Sequence, residues 1–540
     1  MFLKKLIVKN YKIFENIQIE LNNGLNIFIG ENDSGKSTIL EVLSILTTGK
    51  LNGFAFEHLL NANMFNNKVR KEYIKSISDN KPKAPPQIIM EAFFDGDPQY
   101  KGINNTLYED DCGINVTVKI ADDNSEVYQK LLSEGKLKDI PIELYEIKRK
   151  YFSGETVNYR YGPFKGTFID TTKKDYFGVI DHYITDSIEN NFTDDQKRDL
   201  SIAFNESKRT FRGSNIVREL NKAVNDIIQD KNVSLGIKEN EVDAWRKHIS
   251  LVIDDIPFES IGFGSQNAIK IELALKNIEN QANILLMEGP ENNLSFSNIT
   301  KLVDHVSSSK GKQVFISTHS SYIANKLDLK NVLLLHKGSI QPYSNLEEES
   351  RKFFLKQPEY NTLRFILASK IILVEGPTDD LIIQRAYKDK YNRLPSADGI
   401  DIFVVGSLSF KHYCNIAILM NKSIAVVTDN DGNKKKNIID RYEKYSNNNN
   451  ITFYYEENNS LNTIEPSVLS SNSTDNIPNE SFVNIIYKSK NKYDKNTILN
   501  FMLNHKVEWA LRVFEDKNNI AYPQYIKNVI AHYENHEKSC

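Results

Sequence analysis

The sequence predicts an α/β protein made of two α/β units in tandem, and three observations carry that expectation. Between Ile284 and Leu335 the apolar runs ILLM, VFIS and VLLL alternate with helix-like segments, as buried parallel strands do. A second set, IILV (371–374), IFVV (402–405) and IAVV (424–427), repeats the arrangement. Nearer the start, LNIFIG (25–30) leads into the loop ENDSGKST and then the helical pattern TILEVLSIL. Strand, glycine-bounded loop and helix follow in the order that a phosphate loop requires.

A chain of 540 residues has room for about three domains. Hydrophobic content of 40%, charged content of 26% and a net charge of -3 describe an ordinary globular composition. That sum leaves a DNA partner open, because an acidic metal centre offsets basic grooves. Cys112, Cys414 and Cys540 form no CxxC pair, so neither a disulfide framework nor a zinc site is expected, and a reducing compartment is. The stretch MFLKKLIVKNYKIFENIQIE alternates like a strand pair and lacks a signal-peptide core. No run approaches a membrane span, so the expected location is cytoplasmic, with no membrane partner.

Residues 76 to 110 are rich in Pro, Asp and Asn around one strand candidate, QIIMEAFF. From about 180 to 235 the pattern is helical. Thr193 to Gln196 has capping-box form, and Val217, Leu220, Val224, Ile227 and Ile228 recur on one face. Packing within a domain and a dimer-forming helix pair both fit that stripe. SNNNNIT (446–452) and SSNSTDNIPNES (470–481) read as polar loops.

Gly30, Gly35, Lys36 and Ser37 satisfy GxxxxGK[ST], with Asn32, Ser34 and Thr38 in the same loop. Its backbone N–H groups wrap phosphate oxygens, Lys36 reaches the outer phosphates and the Ser37 hydroxyl ligates magnesium. Glu288 follows the strand ILLM and His319 follows VFIST, while GFGSQ (262–266), with Gly264, Ser265 and Gln266, opens an amphipathic segment. Taken singly these have plain readings: a cap, a packed histidine, a helix start. Their order resembles ABC-type ATPase heads related to chromosome-maintenance and repair proteins. The resemblance implies ATP held between two heads of a homodimer or higher oligomer, with Glu288 on the magnesium shell. In such heads a second acidic residue polarises the attacking water, and here that position is Gly289. Slow ATP turnover is implied, with Glu291 the nearby substitute and Gly289→Glu expected to raise phosphate release.

In the second unit, IILVEGPTDD places Glu375 at a strand end and Asp379 at a helix start, and IAVVTDNDGN places Asp429 and Asp431 at another strand end. Carboxylates at neighbouring strand ends repel unless divalent cations such as magnesium or manganese are bound. An aspartate-capped turn is the plain reading of DND alone. Together, EGPTDD and DND resemble the Toprim domain. A Toprim unit directly after an ABC-type head is similar to the OLD (overcoming lysogenization defect) family, whose relatives include the Gabija nuclease subunit and some retron effectors. The likeness covers nearly the whole chain. It implies Glu465, in NTIEPSVL, as a further metal ligand and Lys506 as a cation beside the scissile phosphate. Without it, these would be a helix-start residue and a solvated lysine. Lys434, Lys435 and Lys436 follow DNDG and suit either a DNA backbone or a solvated loop.

The expected organisation is a head over 1–175 and 246–360, a helical dimerisation insertion over 176–245, and a Toprim domain over 361–540. The expected function is ATP-regulated, metal-dependent DNA cleavage in antiphage defence, with a helicase-like protein or a reverse transcriptase and its DNA as implied partners. The rivals are an ATP-gated DNA sensor or scaffold and, third, tyrosine-based strand transfer.

Overall fold

The computed structural model describes residues 1–79, 81–159, 161–172, 192–227, 251–280, 283–292, 295–308, 311–320, 323, 327, 329–356, 364–487 and 493–537. Its contacts divide the chain into two compact units, Met1–Ile27 with Ser37–Thr318, and Phe28–Lys36 with His319–Cys540.

In the first unit the alternating N-terminal stretch forms an antiparallel pair, Leu3–Tyr11 with Phe14–Glu20. Ile88–Phe94, from QIIMEAFF, lies on the other side of Leu3–Tyr11, followed by Asp111–Ile120 and Tyr145–Tyr151. Leu6 and Val8 are buried on one face, while Ile7 packs with Phe93 and Phe152 on the other. A second, parallel set runs Gly166–Asp170, Ile284–Glu288 and Gln313–Ser317, then the start of Leu25–Gly30. Ile284, Leu285 and Leu286 are fully buried, as a strand covered on both faces demands. The phosphate-loop helix is Lys36–Thr48.

Helices Asp194–Gly213 and Asn215–Ile227 occupy the described part of the predicted helical insertion, and the Thr193 and Gln196 capping box forms in both directions. Val217 is buried and Leu220 exposed. Ile228, the side chains of Val224 and Ile227, and positions 176 and 245 lie outside the described residues.

In the second unit Phe28–Gly30 completes its strand, and Val332–His336 pairs antiparallel with Ser339–Pro342. A separate four-stranded parallel sheet has the order Ile400–Val404, Lys370–Val374, Ile424–Val427, Ile451–Tyr454. The last of these begins inside SNNNNIT, expected to be loop, because ITFY supplies the β-branched and aromatic residues that suit a pleated surface. The second polar stretch likewise holds a two-residue ladder, Ser473–Thr474 with Ile477–Pro478. Ile464–Ser471, Lys506–Glu515 and Gln524–Ile530 pack with Pro377–Tyr391 around the buried Trp509. Among the described residues no helix is long and apolar enough to cross a membrane.

Candidate nucleotide and metal sites

The phosphate loop is shaped by close approach. A Cβ on Gly30 would stand 2.3 Å from the Leu335 carbonyl oxygen and 2.6 Å from Ser34 Oγ, so only glycine fits. Asp33 and Gly35 take φ of 59° and 103°, which turn the loop back toward its helix. Lys36 Nζ donates to the carbonyls of Gly30 (2.9 Å) and Glu31 (2.7 Å). Among the described residues the buried Ser34 hydroxyl has no hydrogen-bond partner, and a donor so placed fits a phosphate oxygen. Asn32 is exposed and Thr38 buried at the loop's two ends.

Burial, and then the nearby Lys36 ammonium, lower the pKa of His319, which favours its neutral imidazole. In the first unit the Ser37 hydroxyl donates directly to Glu288 Oε1. Two hard-oxygen groups that meet in this way fit a shared magnesium ion. Gly264, Ser265 and Gln266 form the first turn of Phe263–Asn280, where Ser265 is exposed and Gln266 Nε2 donates to the carbonyls of Phe258 (3.0 Å) and Ile261 (3.2 Å).

Gly289 has φ of 55°, and a Cβ there would meet Asn292 Nδ2 at 2.3 Å and Thr172 Cγ2 at 2.9 Å. Position 289 therefore favours glycine both by its backbone conformation and by the space around it. Glu291 accepts a hydrogen bond from the Thr318 hydroxyl at 2.8 Å, which places it beside the end of Gln313–Ser317.

In the four-stranded sheet, Lys370–Val374 and Ile424–Val427 lie in register, Ile371 opposite Ile424, so their carboxylates emerge side by side. Glu375 Oε1 accepts from the Thr428 hydroxyl (2.6 Å) and the Asp429 N–H (3.0 Å). Asp379 caps its own helix, Pro377–Tyr391, by accepting from the Gly376 N–H at 2.9 Å. Glu465, 1% exposed, is the second residue of the helix Ile464–Ser471 and lies 3.9 Å from Lys506 Nζ. Lys506, 56% exposed, is the first residue of Lys506–Glu515.

Burial, and then neighbouring charges, push Asp379 and Asp429 well above the carboxylate range. Glu375 and Glu465 act on both, and Asp379 and Asp431 also act on Asp429. Glu375 is raised mainly by burial. Such an all-oxygen set, in mutual repulsion, fits hard divalent cations. Among the described residues no three His, Cys, Asp or Glu side chains are already drawn in to the spacing of one bound ion.

Asn430 separates the two readings of DND. Buried, it donates to the carbonyls of Glu456 (2.8 Å) and Asn458 (3.1 Å) and accepts from the Gly432 N–H (2.9 Å). The turn is thus closed by the asparagine, and neither aspartate supplies that bond. The sequence reading missed this residue. It also missed Tyr525, whose phenol is pushed far up by burial and by the charges of Asp379 and Asp429. Lys434 pairs with Glu457, while Lys435 and Lys436 are exposed.

Fold and sites together define a class: a phosphate-loop ATPase domain followed by a Toprim domain. The family described as the AAA ATPase domain matches residues 1–324, and the overcoming lysogenization defect protein-like Toprim domain matches residues 366–431. The chain belongs to that AAA ATPase family and has the ATPase–Toprim architecture of the OLD family.

The DNA replication and repair protein RecF of Rickettsia canadensis is 45% identical over 49 residues, 9% of this chain and 14% of that protein. RecF of Glaesserella parasuis is 44% identical over 50 residues, again 9% and 14%. The chain thus matches 14% of the length of these curated relatives. Among solved structures, the SMC head domain from Thermotoga maritima covers 63% of this chain and 99% of its own at 15% identity and a TM-score of 0.31. The recombination mediator protein RecF with ATP covers 63% and 99% at 11% identity and a TM-score of 0.34.

Proposed function

We propose that this protein is an ATP-regulated, divalent-metal-dependent DNA endonuclease that acts in bacterial antiphage defence. The observation that carries it is the set of Glu375, Asp379, Asp429, Asp431 and Glu465 around two neighbouring strand ends, with Lys506 beside it. These five would hold magnesium or manganese, which when bound supplies a polarised water and a counter-charge for the leaving oxygen. Asn430 holds the loop so that its flanking carboxylates keep their places. Lys506 neutralises charge that grows on the phosphate.

In the head, Gly30, Asn32, Ser34, Gly35, Lys36, Ser37 and Thr38 bind ATP, and Ser37 and Glu288 hold its magnesium. Gly264, Ser265 and Gln266 close on the nucleotide of a second copy, and His319 lies beside the outer phosphates. Without a base at 289, ATP is turned over slowly and serves as a clamp that biases the Toprim domain by population shift. The helical insertion supports the dimer, and the domain spans are those given above.

Conversion of supercoiled plasmid to nicked or linear forms, in magnesium or manganese with and without ATP, tests this. Wild type is expected to cut and Asp431→Ala to be inactive. The alternative is an ATP-gated DNA-binding sensor or scaffold. Stable DNA binding with no cutting by wild type in either metal would select it.

A further inference from the structure

Glu31, the second residue of the phosphate loop, is engaged at both its backbone and its side chain. Its carbonyl accepts from Lys36 Nζ at 2.7 Å. Its carboxylate accepts from Lys422 Nζ (2.6 Å), Ser369 Oγ (2.9 Å) and His336 Nδ1 (3.1 Å). Lys422 is 1% exposed and spends its other two protons on the carbonyls of Ile366 (2.7 Å) and Ala368 (2.6 Å). Burial opposes ionisation of Glu31, but the bonds from His336 and Lys422 prevail and hold its carboxyl at about 2.

These donors occupy informative places. Ser369 immediately precedes Lys370–Val374, and Lys422 stands two residues before Ile424–Val427. The same two strands pair directly, and their opposite ends carry Glu375, Asp429 and Asp431. Ile371, Ile372, Leu373 and Val374 are fully buried, as are Ile424, Ala425 and Val426. A shift at one end of so tightly packed a pair moves the other end rather than dissipating.

On arrival of a nucleotide, the phosphates recruit Lys36 Nζ. The Glu31 carbonyl then loses its donor, and the peptide that carries the Glu31 carboxylate is released from one of its restraints. A buried ion pair adds little stability over an apolar pair of the same volume, so packing alone does not require Glu31 and Lys422 to be charged.

We propose that Glu31 and Lys422 are a positioning pair that carries nucleotide occupancy of the phosphate loop to the carboxylate ends of the two Toprim strands. This rests on the reading of those carboxylates as a metal-dependent nuclease site. The two side chains bond to each other, and the pair acts by moving the groups at either end.

The test uses the full chain, a non-hydrolysable ATP analogue with magnesium, and hydrogen exchange resolved to residues 370–376 and 424–432. In wild type the analogue is expected to change exchange there by about fivefold, the scale of a modest coupling between sites. Lys422→Met and Ser369→Ala should bind the analogue as wild type does, within about twofold, yet lose most of that change; the milder Ser369→Ala serves if Lys422→Met does not fold. In plasmid cleavage both variants should keep cutting without nucleotide and lose the ATP response. No change in wild type, or full transmission in Ser369→Ala or a folded Lys422→Met, overturns the coupling. Transmission in wild type without any cutting leaves the coupling standing and removes the nuclease reading.

Discussion

At the scale of single residues, position 289 shows how the backbone restricts what chemistry can be restored. A glutamate there would take φ near 55° and bring its Cβ against the Asn292 amide and the Thr172 methyl. Gly289→Glu is therefore expected to cost about 1–2 kcal/mol in denaturant unfolding and to leave phosphate release unimproved. That reverses the outcome expected from side-chain chemistry alone. Glu291, fixed by Thr318, is the residue through which slow turnover would run, and Glu291→Gln should remove it at least tenfold in a phosphate-release assay while nucleotide binding persists. Asn430 teaches a similar lesson. Asn430→Ala deletes three hydrogen bonds of one buried side chain and should cost about 2 kcal/mol, with loss of cutting although both flanking aspartates remain.

At the scale of elements, the strand ends were legible because IILV and IAVV are apolar runs that stop at carboxylates, and a parallel sheet gathers such ends. The capping box at Thr193 and the phosphate-loop helix were legible for the same reason: each is a local pattern with a local cause. Gly166–Asp170 was not, because GTFID has no apolar run and becomes a strand only by pairing with Ile284–Glu288. Nor was the bond between Glu31 and Lys422, whose partners are 391 positions apart. The helix Pro377–Tyr391 offers a prediction at this scale. Asp379 both caps its helix and repels Asp429, and asparagine keeps the acceptor while removing the charge. Asp379→Asn should thus melt no lower than wild type without metal at alkaline pH, and should lose the stabilisation by magnesium. A melting series with and without magnesium reads both.

For the molecule as a whole, the carboxylate cluster makes stability depend on pH and metal together. Asp379 and Asp429 have folded-state pKa values raised above the unfolded value of about 4. The folded state then holds more protons, so their contribution is fully present below about pH 4 and is lost as pH rises through the raised values. Glu31 runs the other way: its lowered carboxyl stabilises above its unfolded value and loses that contribution only in acid. Between about pH 7 and 9 Glu31 is constant, and the raised carboxyls alone among these groups still titrate. The metal-free protein should therefore lose melting temperature across that interval. A divalent cation that binds the ionised cluster competes with those protons, so the rise in melting temperature with magnesium should grow with pH. At a concentration a hundredfold above its dissociation constant the cation contributes about 2.7 kcal/mol. Asp431→Ala should flatten the magnesium effect and spare the fold, since Asp431 is exposed. A magnesium shift that is equal at both ends of the interval would show that the cation binds elsewhere than at this cluster.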